Sequence, residues 1–142
     1  MKQLLILLCI STFLLTSCGN YGKKVTINDN TEVYLKGDNV TEADAKKLGD
    51  FWVSTFKDAT QKKSLQLAKD GERYVVRMLV HEEKVKNDKS FDIAFMAVQA
   101  LLEVQAFPGS KVSLILADNN FEKDIKTYDG SSSEAKTDSL AN

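Results

Sequence analysis

The strongest constraint in the chain is Asp70-Gly71, which sits between two alternating runs within residues 64–81. Such a pair favours a two-residue turn, because the turn positions need positive φ, and the flanking runs must then pair as antiparallel strands. Placing Lys69 opposite Glu72 sets Leu67 against Tyr74 and Leu65 against Val76, with Met78 and Val80 continuing that face. The other face carries Gln66, Ala68, Arg73, Val75, Arg77 and Leu79. A hairpin with one strongly apolar face needs a covering layer, so the rest of the chain must supply helices or a second sheet.

Helices are what the flanks predict. Residues 31–36 alternate as a strand, with Val33 and Leu35 on one side and Glu32, Tyr34 and Lys36 on the other. Thr41-Glu42-Ala43-Asp44 has the spacing of a capping box, with Val40 and Ala45 placed as a hydrophobic staple. The helix that follows carries Ala45, Leu48, Trp52 and Phe56 along one stripe. Trp52 is expected to anchor the core. Asn87 or Asp88 can cap a second helix running to about Ala106, where Pro108-Gly109 stops it. That helix is apolar almost all round, with only Asp92, Gln99 and Glu103 as a polar stripe. It should be the most buried element, or part of it should meet a partner. Residues 111–117 form a strand, with edge strands expected at 25–28 and 121–128.

The expected class is α+β, in the ferredoxin-like split βαβ order β-α-β-β-α-β with extra edge strands. It forms a single domain over residues 25–128, followed by a polar tail at 129–142 that cannot bury enough apolar surface to order itself. Over residues 31–117 the order of elements also resembles small domains attached to bacterial membrane proteins. In the split order the first and third main strands lie side by side at the centre. The face away from the helices would then present Tyr34, Arg73, Val75, Arg77 and Leu79, with Ile115 nearby, as an interaction face. Three readings of that face stand open: cover by residues 121–128 or 25–27, sheet-to-sheet dimerisation, or binding of a peptide or another envelope protein.

Little in the chain suggests assembled chemistry. His81 is the sole histidine, beside Glu82 and Glu83, without the spacing of a zinc site or a serine-histidine-acid triad. Residues 118–129 place acidic side chains like a calcium loop, but Lys123 stands where glycine is required. No phosphate-binding glycine loop is present, so no catalytic residue, metal or cofactor is expected. The formal net charge of −1, with both signs interspersed, gives no electrostatic footprint for nucleic acid.

The N-terminus supplies the address. Lys2 precedes residues 4–15, a run of twelve with ten apolar, too short for a permanent span. It ends in Leu15-Thr16-Ser17-Cys18. This stretch resembles a bacterial lipoprotein signal peptide with its lipobox. The resemblance implies cleavage of residues 1–17, acylation of Cys18, a tether over 18–24 and anchorage to the cell-envelope membrane. Gly19 implies the outer membrane, facing the periplasm, in a Gram-negative host. The expected function is a non-enzymatic lipoprotein that binds or scaffolds another envelope protein. The alternative is a small-ligand or ion-binding accessory lipoprotein, with a hydrolase using Glu82 or Glu83 as a weaker third. Oligomeric state is left open.

Overall fold

The computed structural model describes residues 21–57 and 60–130, so Cys18 and the whole signal-like stretch lie outside the described residues, as does nearly all of the 129–142 tail. The elements in chain order are β1 (Lys23–Asn28), β2 (Thr31–Leu35), α1 (Glu42–Thr55), β3 (Lys63–Asp70), β4 (Arg73–Leu79), α2 (Glu82–Lys86), α3 (Ser90–Leu101), β5 (Val112–Ala117) and β6 (Asp124–Tyr128). Residues Leu102–Ala106 continue α3 as a π-helical turn. One mixed sheet holds all six strands in sequential order, and both long helices pack on the same face.

That order corrects the ferredoxin-like expectation. β2 pairs in parallel with β3, and β4 in parallel with β5, so each helical crossover lands on the adjacent strand and nothing is inserted between. The reason lies at the two edges. β1 folds back on β2 through a tight turn in which Asn28 Oδ1 accepts from the Asn30 amide at 2.9 Å, and β6 returns on β5 through residues 118–123. These short closures cost less entropy than the long-range partners a split order would require on the same edges. The result is two βαβ units joined back to back through the β3–β4 hairpin, and the hairpin, rather than β2 with β4, is central.

The hairpin is present, with its register moved. Asp70 pairs with Arg73, Lys69 with Tyr74, Leu67 with Val76 and Leu65 with Met78. Gly71 alone has positive φ, at 58°, so it takes the first turn position as in a type II′ turn, and Asp70 stays in the strand. The partner of each residue moves by two, which preserves its face. The inward and outward sets are therefore those read from the pattern.

Val33, Leu65, Leu67, Val76, Leu114 and Leu116 form the floor of the core, and Leu48, Trp52, Leu102 and Phe107 cover it. α1 starts as its sequence requires: Thr41 Oγ1 accepts from the Asp44 amide at 3.2 Å, while the Asp44 carboxylate accepts from the Thr41 amide at 3.0 Å. The same carboxylate accepts the Tyr74 hydroxyl at 3.0 Å, so the cap also ties α1 to β4. Tyr74 in turn stacks on Phe107 with ring centres 4.0 Å apart.

α3 departs most from expectation, because it is inverted. Its polar stripe faces the sheet. Gln99, 4% exposed, donates from Nε2 to the Val112 carbonyl at 2.9 Å, and Glu103 accepts from the Val112 amide at 3.0 Å. Asp92 accepts from Lys126 and from the Tyr128 hydroxyl on β6. Phe95 and Val98 pack partly against the core, but Ile93 and Val104 are each 71% exposed, and Phe91, Met96 and Leu101 are exposed beside them. The sequence leaves two expectations for this helix, that it is the most buried element or that part of it meets a partner, and the exposure of Ile93 and Val104 removes the first. Its three polar side chains instead satisfy the first residue of β5 and the β6 edge, which turns the apolar arc outward.

Candidate functional site

The face of the sheet away from the helices carries every residue expected there, in a different arrangement. The central row runs Lys24, Tyr34, Gln66, Arg77, Ile115, Thr127 across the six strands, so Gln66 separates Tyr34 from Arg77. Most of the side chains are committed to neighbours. Arg77 makes a two-pronged bond to Asp124 at 2.9 and 3.3 Å. Arg73 donates to Ser113 Oγ at 3.3 Å and to the Asp129 carbonyl at 3.2 Å. Val75 and Leu79 are half-buried and Ile115 is buried.

Cover comes from Tyr21 and Phe121. The Tyr21 ring meets the Tyr34 edge at 5.1 Å and the Phe121 ring at 5.2 Å. Its carbonyl accepts from Gln66 Nε2 at 2.9 Å, and its hydroxyl donates to the Asn119 carbonyl at 3.0 Å. The chain then turns into β1 at Gly22, whose φ is +94°. A Cβ there would lie 2.1 Å from the Leu35 carbonyl oxygen, so only glycine makes this entry without a clash. Phe121 reaches its place with φ at +56°, in a loop where the Asp118 carboxylate accepts from the amides of Asn120, Glu122 and Lys123. Residues 121–128 were one expected cover and Phe121 supplies part of it. Tyr21, which lies before the predicted strand, was not anticipated.

Sequence reasoning also missed the environment of Glu32. Alternation puts it on the side away from the helices, yet it is 6% exposed. Its carboxylate accepts from Ser64 Oγ at 2.7 Å and Tyr34 at 2.9 Å, and it pairs with Lys24 at 2.6 Å and Lys62 at 3.1 Å. Burial pushes its pKa up, but the bonds from Lys24, Ser64, Lys62 and Tyr34 outweigh that and hold it at about 2. A depressed folded-state value means that stability is present above the ordinary value of 4.5 and is lost as pH falls through about 2. The melting temperature of the wild type should therefore drop across that window. Glu32→Gln should show a flatter profile and a loss of about 1–3 kcal/mol at neutral pH. Parallel slopes in the two proteins would show that the cluster is not what titrates.

A concavity of about 380 Å³, open to solvent, lies beyond the carboxyl ends of β4 and β5. Val80, His81, Glu82, Glu83, Lys84, Asp118 and Asn119 line it. Glu82 is clasped by Lys86 and by Lys123 at 2.9 Å, which holds its pKa at about 2. A carboxyl so held stays ionised near neutrality and has no proton to give. Among the described residues no group of three or more histidine, cysteine or acidic side chains is placed to hold a metal ion, and no helix is long and apolar enough to cross a membrane.

These features define a two-layer α+β domain whose open sheet face is closed by its own ends and whose helical layer carries the exposed apolar surface. Residues 24–129 match a protein-family model described as a family N-terminal domain, AF_1994_N. The chain belongs to that family, and the match takes in the sheet from the second residue of β1 through the end of β6. No curated protein and no solved structure matches the chain.

Proposed function

We propose that this chain is a lipid-anchored protein of the bacterial cell envelope whose domain binds another protein through the outer face of α3. The observation that carries the binding role is the inversion of α3, with Gln99 and Glu103 spent on Val112 while Ile93 and Val104 stand in solvent. A continuous apolar helix face of this kind marks an interaction surface on a soluble domain. The sheet face is less suited to that task, because Arg73 and Arg77 are already paired within the domain. The anchor rests on the resemblance of residues 1–18 to a lipoprotein signal, with Cys18 as the acylated residue and Gly19 directing it to the outer membrane of a Gram-negative host.

Two measurements test the two halves. Wild-type chain made in a lipoprotein-processing bacterium should lose residues 1–17, gain acyl mass and enter the detergent phase, and the Cys18→Ser form should do none of these. Equal behaviour of the two removes the anchor. A photo-reactive amino acid at Val104 of the full chain should yield a protein adduct in the intact envelope, whereas the same probe at Lys46 on α1 should not. Absence of any adduct at Val104 removes the binding face.

A further inference from the structure

We propose that the outer face of α3 is the seat of a second copy of this chain, the two helices packing antiparallel about a two-fold axis between Ala97 and Ala100. This deepens the reading of α3 as a protein-binding face and rests on it.

The face is a palindrome in residue size. Ile93 and Val104 are β-branched and most exposed, Met96 and Leu101 are large, and Ala97 and Ala100 are small. All three pairs share one midpoint along the helix. A two-fold axis there sets Ile93 against Val104 of the other copy and Met96 against Leu101. The alanines then meet at the crossing, where backbones come closest and small side chains are needed. A face matched to some other surface has no reason to be symmetric about its own centre.

Charge agrees with this pairing. Along the exposed arc from Ile93 to Val104 no charged side chain points outward, because Asp92 is held by Lys126 and Tyr128 and Glu103 is turned to Val112. Two copies therefore meet without opposing like charges. Lys89 lies one turn before Ile93 on the same arc and is exposed. It stands at the N-terminal end of its own helix, where a cation is disfavoured. In the antiparallel pair it meets the carbonyl end of the other α3, where a cation is favoured.

The length of chain before the domain argues against the bilayer as the occupant. Tyr21 is fixed over the open face of the sheet by Gln66 and Asn119. Only Gly19 and Asn20 lie between Cys18 and Tyr21, and the three links reach about 10 Å at full extension. The outer surface of α3 stands at least a helix diameter, about 10–12 Å, beyond the sheet on the opposite side. An acyl chain on Cys18 cannot bring its membrane around the sheet edge and up to that face while Tyr21 stays in place.

The test is oxidative cross-linking of the full chain in its envelope. An Ala97→Cys form should give a disulfide-linked species of twice the chain mass. Lys46→Cys on α1 and the chain carrying only its own cysteines should give none above background. Adding Ile93→Glu and Val104→Glu should cut the Ala97→Cys dimer at least tenfold with the circular-dichroism spectrum unchanged. Equal dimer from Lys46→Cys would mean crowding alone and would overturn the proposal. No dimer, together with a Val104 photo-adduct to a different protein, would overturn the second copy and leave α3 as a docking face. No dimer and no adduct of any kind would sink both.

Discussion

Leu67→Ala should lower the stability of the domain by about 2–5 kcal/mol, while Ile93→Ala should change it by less than about 0.5 kcal/mol. Both positions hold large apolar residues on well-formed elements, and a hydropathy profile ranks them alike. They differ in what surrounds them. Leu67 is fully buried at the centre of the sheet, opposite Val76 on β4 and beside Leu35 on β2, under the layer formed by α1 and the end of α3. Deleting its terminal atoms leaves a void that a central strand cannot collapse to fill. Ile93 makes its contacts with solvent, and in the monomer its truncation removes almost nothing. Chemical denaturation of the two variants separates the cases. A loss at Ile93 approaching that at Leu67 would mean that α3 is turned the other way.

Gly49→Ala should cost about 1–3 kcal/mol, against the trend for glycine in a helix interior. An exposed helical glycine replaced by alanine gains close to 1 kcal/mol, because the backbone loses less entropy. Here a Cβ would sit 2.3 Å from Ile27 Cγ1 and within 2.9 Å of two more Ile27 atoms. The nearest of these atoms is the inner one, so Ile27 cannot relieve the contact by swinging its tip; α1 or the edge strand β1 must move. The clash outweighs the propensity, and Ile27→Ala in the same chain should recover most of the loss. A Gly49→Ala variant as stable as wild type in thermal unfolding would show that β1 is not held against α1 this closely.

Sequence legibility followed interaction range. The turn glycine, the strand alternation and the Thr41–Asp44 capping box depend on residues a few positions apart, and each produced its element. The hairpin register slipped because Asp70-Gly71 fits two turn types, and only the φ of Asp70, which is not positive, separates them. Strand order is not legible in the same way, because it is decided by which closures are shortest once both edges have partners, and the alternation of β1 and β6 does not show that they supply those partners. For α3, the apolar content and the Asp92, Gln99, Glu103 stripe were plain, but not which side met the sheet. Polarity alone would have turned the stripe outward; the unpaired amide and carbonyl of Val112 turned it inward. Glu32 was hidden for a related reason, since its partners come from β1, β3 and the loop before β3.

The latch formed by Tyr21 has a mechanical side. An antiparallel edge strand pulled from one end opens like a zipper, one ladder bond at a time, and β1 is such a strand with its free end toward the N-terminus. A pull applied through the preceding chain does not reach β1 first. It arrives at Tyr21, which hands the load to Gln66 on a central strand and to the loop beyond β5 through Asn119. Those bonds and the three-ring contact with Tyr34 and Phe121 must shear together before Gly22 can peel away from Leu35. Tension arriving at Tyr21 is thus shared between a central strand and the loop beyond β5, and the weakest edge is the last to feel it.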